Sequence, residues 1–456
     1  MNREKLSFYS GLQRRFRDAI DLETCRERFL AERPEEAGEL PETVFDTVAG
    51  VLAPLALSYV RFVLEDAQRR KLRRLYFCAR DGYLLVKAAR VLCRMMKLSI
   101  DCRYLYVSRH ALWGPLYGLD KSGALDRFCL PGARGVDIRR VLARAGIPEE
   151  LYAPIAAKLN LEPGKYLLEA ELQELKSRLA AIPEFDVEAS RSAAARLRET
   201  IGYFRQEGLL EPEGEAGFVD VGWGGSLQHC FTQILQAAGG TPMRGYYFAL
   251  FYEIPPEDGE ASAFYFSAHS HPIRQLLICV DLLECLFGAP HGMTLGYRRT
   301  ETDGRYEPLL REFRKQELTL LQHEFFERYL AIFETCGDPR GTDTAAARLA
   351  EKLLVSFAVF PSREEAETYG SFQFCDDIAE NYFLPLAERF TPAEIRQHGF
   401  LRKLLRRLKR GEAATPIRHS YWIHGSIALS GVRNRRLYHY EAVLNELLFR
   451  LRKKLH

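Results

Sequence analysis

Two stretches constrain this chain most, because each changes its hydrophobic period at a glycine-containing junction. Leu75 to Leu92, LYFCARDGYLLVKAARVL, starts as a short apolar run and continues with apolar residues at helical spacing. Gly217 to Gly240, GFVDVGWGGSLQHCFTQILQAAGG, does the same across the loop Gly222 to Gly225. A brief apolar run reads as a buried strand, and a period near 3.6 residues reads as an amphipathic helix. A strand that feeds a helix cannot pair with its successor through a tight hairpin. The repeated pattern therefore predicts an α/β fold, an open and mostly parallel sheet with helices on both faces.

Four more strand-like runs, CRYLYVSRHA, RGYYFALFYE, SAFYFSAHS and MTLGYRR, extend the pattern. About a hundred residues, Tyr117 to Glu215, read as helices and are expected to be an insertion or cap. Residues 1–32 read as helical and charged and are followed by the linker-like AERPEEAGELPE, and a helix is predicted from Thr43 to Arg70. The expected organisation is an N-terminal segment over 1–42, an α/β domain over 43–310 with its insertion at about 117–215, and a helical C-terminal region over 311–456. That last region has breaks at PSREEAETYGS and GEAATP and is expected to be a separate subdomain or a helical wrap.

With 456 residues, 47% hydrophobic and 27% charged, the chain has the composition of a globular protein rather than a disordered one. The ten cysteines show no C-x-x-C or zinc-like pairing, as expected in a reduced cytoplasm. No segment has the pattern of a signal peptide, and the longest apolar run, VLAPLALSYV, is too short to cross a bilayer, so neither secretion nor a membrane span is expected.

Residues 401 to 456 hold 14 Lys or Arg against 3 acids, a net +11, which leaves −8 for the remainder. Leu401, Leu404, Leu405 and Leu408 fall on one helix face, with Arg402, Lys403, Arg406, Arg407, Lys409 and Arg410 around them. Such a segment fits peripheral contact with an anionic membrane and equally a solvated helix face. No nucleic-acid motif accompanies the charge, and nucleic acid is not an expected partner.

Ligands of parallel open sheets bind outside the carboxyl ends of the strands, so the residues there are the candidates for chemistry. After the first strand come Arg80, Asp81 and Gly82, which read either as a helix start capped by Asp81 or as half of a binding site. After the second come Ser108, Arg109 and His110, and two arginines on neighbouring strand ends would clamp phosphate or carboxylate. After the third, Asp220 precedes Gly222, Trp223, Gly224, Gly225 and Ser226. Strand, glycine-rich loop, hydroxyl and helix is how backbone N–H groups and a helix dipole cradle phosphate. The lysine of a P-loop and the G-x-G-x-x-G spacing are both absent. Asp220 is placed to hold a metal ion, a ribose hydroxyl or the loop itself, and Trp223 to stack on a sugar or a base or to pack in its loop.

Downstream, His269 and His271 alternate in HSHP without an identifiable third ligand for a metal. Asp281 and Glu284 lie one turn apart in DLLECLFGAPHG, ahead of His291, and Glu284 is placed either as a general base or as a helix-face acid paired with arginine.

LYFCARDGYLL, YLYVSRHAL, FVDVGWGGSLQ and LLECLFGAPHG together resemble the region downstream of the haloacid-dehalogenase-like domain in a family of bacterial predicted hydrolases associated with cell-surface polysaccharide genes. The resemblance spans roughly Thr43 to Arg299, and YWIHGSIALSG matches near the C-terminus. The D-x-D pair of haloacid-dehalogenase-like phosphatases is absent, so their hydrolase activity does not carry over. Asp220 to Ser226 is also similar in layout to the phosphate loop of type I phosphoribosyltransferases, with one strand acid where that family usually has two.

The strand-end residues and these resemblances together give the expectation of an enzyme acting on a phosphorylated sugar or nucleotide-linked substrate, with Mg²⁺ as the cofactor that the phosphoribosyltransferase resemblance implies; the cysteines place it in the cytoplasm and the basic tail at the inner face of the membrane. Gly222, Trp223, Gly224, Gly225, Ser226, Ser108, Arg80 and Arg109 would bind the phosphate-bearing ligand, with Asp220, Asp81 and Glu284 as catalytic groups. On this reading Gly225→Val abolishes ligand binding and leaves the fold intact. The alternative is a non-catalytic phospholigand-binding scaffold with glycosyltransferase partners at the membrane.

Overall fold

The computed structural model describes residues 3–33, 38–131, 135–211, 216–314, 316–375, 383–400, 402–403 and 418–455. Five parallel strands form the central sheet: β1 (Arg74–Cys78), β2 (Asp101–Leu105), β3 (Ala216–Asp220), β4 (Arg244–Ala249) and β5 (Ala261–Phe266), in the order β2-β1-β3-β4-β5. The predicted open parallel sheet with flanking helices is what the chain forms.

Alternation along each strand sorts side chains onto two cores, as a period of two requires. Leu75, Phe77, Val219, Tyr246 and Phe248 join one core. Tyr76, Cys78, Phe218 and Tyr247 join the other. Both faces are covered, so the strands read as continuous apolar runs.

The first core is closed by a helix from Glu39 to Arg69, broken by a π-helical turn at Val48–Leu52, and by helices Gly82–Met96, Glu317–Cys336 and Asp343–Leu354. The Glu39–Arg69 helix has the length and apolar character to cross a membrane, but 94% of its most apolar window is buried inside the molecule. N-terminal helices Arg3–Arg15 and Glu23–Ala31 add Tyr9, Leu12 and Phe29 to this core, so the N-terminal segment and the helices Glu317–Cys336 and Asp343–Leu354 cover the same side of the sheet. The expected insertion is helical, ending in Pro183–Gln206, and packs on the second core.

One expected sheet strand is placed elsewhere. MTLGYRR supplies β6 (Thr294–Arg299), which pairs antiparallel with β7 (Tyr306–Leu310) in a separate hairpin. Its attachments explain the difference. Tyr297 stacks on Tyr203 at 4.3 Å and its hydroxyl donates to the Tyr106 carbonyl at 2.7 Å, while Gln206 exchanges hydrogen bonds with both backbone groups of Tyr306. The hairpin is thus fastened to the insertion and the end of β2 rather than to the sheet edge. A second short hairpin, β8 (Gln373–Phe374) with β9 (Leu384–Pro385), lies in the otherwise helical C-terminal region. All ten cysteines are free thiols.

Candidate functional site

Register brings three strand ends together. Cys78 pairs with Leu105, Phe77 with Val219 and Asp220 with Tyr247, so Ala79 to Asp81, Tyr106 to Arg109 and Val221 to Ser226 leave one edge side by side. Chain order reverses between β1 and β3, the switch point where connections diverge and leave a crevice. A cavity of ≈ 260 Å³ lies there. Arg80, Asp81, Ser108, Arg109, Asp220, Gly222, Trp223, Gly224, Gly225, Ser226 and Glu284, the full set expected from sequence, all line it.

The glycine loop is shaped by close approaches. A Cβ on Gly222 would lie 2.6 Å from the Ala249 carbonyl oxygen, so β3 leaves the sheet against β4 only without a side chain there. Gly225 is left-handed, φ +74°, and caps the twelve-residue helix Ser226–Ala237, making Ser226 its first residue rather than its cap. A Cβ on Gly225 would also meet Ile254 Cδ1 at 2.1 Å, so Gly225→Val strains the backbone and repacks the loop, contrary to the expectation that it spares the fold. Gly224 is open, with Tyr252 Cδ2 nearest at 3.8 Å. Between them Trp223 is held twice: its carbonyl accepts from the Phe251 N–H at 2.9 Å and its indole N–H donates to Glu284 Oε1 at 2.9 Å. The peptide bonds Ala79–Arg80 and Gly222–Trp223 are cis. The loop leads into the first turn of a helix, where unpaired N–H groups and the dipole favour an anion.

Three carboxylates face this anion-attracting end. Asp81 does not cap the helix Gly82–Met96 with its side chain, because its backbone is already helical (φ −67°, ψ −25°) and a capping residue is extended. Gly82 admits the close fold-back, since a Cβ there would lie 2.7 Å from the Phe77 backbone. Burial raises the Asp81 carboxyl well above its usual range, and Glu284 and Asp220 add to the rise against the opposing charges of Arg80 and Arg109. Asp220 accepts from the Val221 N–H at 2.9 Å, and its carbonyl accepts from the Tyr59 hydroxyl at 2.7 Å. Burial pushes the Asp220 carboxyl up to about 7, with Glu284 adding and the Val221 N–H and Arg109 opposing.

The second strand end contributes Arg109, exposed at the cavity mouth as the first residue of helix Arg109–Leu116. Ser108 is the side-chain cap of that helix: its Oγ accepts from the Ala111 N–H at 3.0 Å and donates to the Thr294 carbonyl at 2.6 Å. Its proton is therefore committed to fastening β6, and any ligand contact would be made as an acceptor. His110 also lines the cavity.

Sequence reasoning missed Thr294. It is 1% exposed, lines the cavity, and its Oγ1 is buried without a hydrogen-bond partner. A buried hydroxyl is normally paired, and this one is unpaired at the cavity wall. Its position at the start of β6, after APHGM, carries no sequence signal beyond a strand beginning.

The weaker candidates lie outside this cavity. Tyr104 hydroxyl and His291 Nε2 are 2.7 Å apart and His291 Nδ1 is 2.8 Å from the Gly292 carbonyl, so both ring nitrogens are engaged, and burial lowers the ring's proton affinity. His269 Nε2 is 3.1 Å from Glu253. Asp281 shares the helix Val280–Phe287 with Glu284 but does not line the cavity. Among the described residues no group of three or more His, Cys, Asp or Glu is arranged to hold a metal ion. Glu284 raises the proton affinity of both Asp220 and Asp81, and Asp220 also raises that of Asp81. Most of the basic segment from Leu401 to Arg410 falls outside the described residues.

No protein-family model matches the chain, and no curated protein sequence matches it.

Proposed function

We propose that this chain is an enzyme that binds a phosphorylated sugar or the sugar-phosphate part of a nucleotide-linked substrate at the carboxyl edge of its sheet. It transfers or hydrolyses the group so activated. The observation that carries the reading is the convergence, in one cavity, of a glycine loop at a helix start, two arginines and a carboxylate that titrates near neutrality.

In this reading the phosphate rests on the Gly222 to Ser226 backbone, with Arg80 and Arg109 as its clamp and the Thr294 hydroxyl on a sugar oxygen. Asp220, with a proton affinity matched to neutral pH, is the acid/base group. Asp81, whose carboxyl is raised by burial first and by Glu284 and Asp220 after it, donates a hydrogen bond in this reading. Asp220 would hold Mg²⁺ together with phosphate oxygens, and the cation would supply neutralisation of phosphate charge. The cavity lies just below the roughly 300–1,000 Å³ range of drug-sized sites, which favours a single sugar phosphate over a whole nucleotide sugar inside it. The strand-end resemblance supports a setting in cell-surface polysaccharide synthesis.

The test is turnover. The purified chain is incubated with sugar phosphates, nucleotide sugars and phosphoribosyl diphosphate, with and without Mg²⁺, and released phosphate or diphosphate is measured. Release that requires Mg²⁺ and is lost in Asp220→Asn supports the reading; no release from any compound contradicts it.

A further inference from the structure

The last helix, Arg435–Leu455, has two apolar faces, and the fold uses one. Its inner face is occupied. His439 is 4% exposed, Tyr438 and Ala442 pack on a small core of Phe390, Ile395, Ile427 and Val432, and Asn445 donates to the His398 carbonyl at 3.0 Å. The outer face carries Leu437 (54% exposed), Tyr440 (59%), Leu444 (44%) and Leu451 (48%). At about 100° per residue these four fall within one narrow stripe, where a helix packed on a globular protein normally places polar residues.

We infer that this stripe docks on an anionic membrane surface, with the helix lying in the interface plane. The choice of occupant follows from charge. Residues 401 to 456 carry a net +11, and between Arg435 and Leu455 six Lys or Arg stand against Glu441 and Glu446. Arg436 is exposed beside the start of the stripe, and Arg435, also exposed, stands one turn before His439. An apolar stripe with basic flanks is the composition that partitions into the headgroup boundary of acidic lipid. The seven-residue spacing of Leu437, Leu444 and Leu451 would also suit a coiled coil with a second copy, but two helices with six Lys or Arg against two Glu repel, and Arg436 with Glu441 is the one opposite-charge pair such a register offers at its flanking positions.

The helix also reaches the edge of the sheet that holds the cavity. Arg450 lies 4.6 Å from the centre of the Phe251 ring, and Phe251 packs on Trp223 of the glycine loop at 6.4 Å between ring centres. Docking therefore brings the cavity to the bilayer surface, within reach of a phosphorylated head carried on lipid. The docking inference stands apart from the reading of the cavity, since its test contains no cavity ligand.

The full chain is sedimented with phosphatidylglycerol-containing vesicles and with pure phosphatidylcholine vesicles. Strong partition to the first and little to the second is expected. Leu437→Ser with Leu444→Ser should weaken that partition about tenfold or more while leaving the melting temperature unchanged, because both side chains already face solvent. Arg435→Ser with Arg436→Ser should weaken it on the anionic vesicles alone. Three results overturn the inference: no preference for anionic vesicles, partition unchanged in the leucine variant, or a lipid-free dimer that the same leucine substitutions dissociate, which would give the stripe to a second copy.

Discussion

The Trp223 indole donates to Glu284 Oε1 at 2.9 Å, and this bond ties the glycine loop after β3 to the helix Val280–Phe287 across the cavity. Glu284 therefore has two separable effects. Its oxygen fixes the loop that is the proposed phosphate cradle, and its charge raises the proton affinity of Asp220 and Asp81.

Substitution separates them. Glu284→Gln keeps an acceptor for the indole and removes the charge, so stability should change little while the Asp220 titration moves below about 7. Glu284→Ala leaves the indole unpaired and should cost about 1–2 kcal/mol, with weaker anion binding. Chemical denaturation, together with carboxyl titration followed by NMR, reads both effects.

Asp220 contributes to the pH dependence of stability. Its folded-state carboxyl titrates near about 7, above the unfolded value of about 3.9, so the folded state binds the proton more tightly. The resulting stabilisation is complete below about pH 4 and is lost as pH rises through about 7. Asp220→Asn should therefore be more stable than the parent at pH 8, by on the order of 1–3 kcal/mol, and should show little advantage at pH 4. If Asp220 acts as base, kcat/KM of the parent rises through the same window. Urea melts across pH check the stability half without any substrate.

Thr294→Val removes a buried hydroxyl that has no partner and keeps the shape of the side chain. The fold should be unchanged or slightly stabilised, whereas affinity for a ligand that uses the hydroxyl should fall by about 1 kcal/mol, roughly fivefold. Calorimetry on the two proteins measures the difference.

The two loop glycines should respond differently. Gly225→Val places a β-branched side chain at φ +74° and against Ile254, and should destabilise by about 1–3 kcal/mol. Gly224→Val meets only Tyr252 at ordinary contact distance, so it should fold normally while obstructing approach of a phosphate to the loop. A melt with and without ligand distinguishes loss of fold from loss of binding.

The sheet and the convergence at its edge were legible because they are local. Each junction, at Arg80 to Gly82 and at Gly222 to Ser226, shows a period change and glycines whose Cβ-free backbone the packing requires. What the sequence hides is long-range. Thr294 belongs to the cavity only because Tyr297 stacks on Tyr203 and Ser108 holds its carbonyl, contacts that span about 90 and 190 positions of chain. Strand propensity alone assigned β6 to the sheet, whereas those aromatic and hydroxyl contacts place it over the insertion. Asp81 fits a capping pattern by residue type, yet its backbone enters the helix one residue early and its carboxylate is left for the cavity.

The most direct test is thermal stabilisation of the parent and Arg109→Gln by sugar phosphates and phosphoribosyl diphosphate, each with and without Mg²⁺. A ligand at a hundred times its Kd adds about 2.7 kcal/mol to the native state. The account predicts a Mg²⁺-enhanced shift with one of these compounds in the parent, reduced in Arg109→Gln without change in the ligand-free melt. No shift with any of them, or an equal shift in both proteins, would contradict a phosphate site at the ends of β1, β2 and β3.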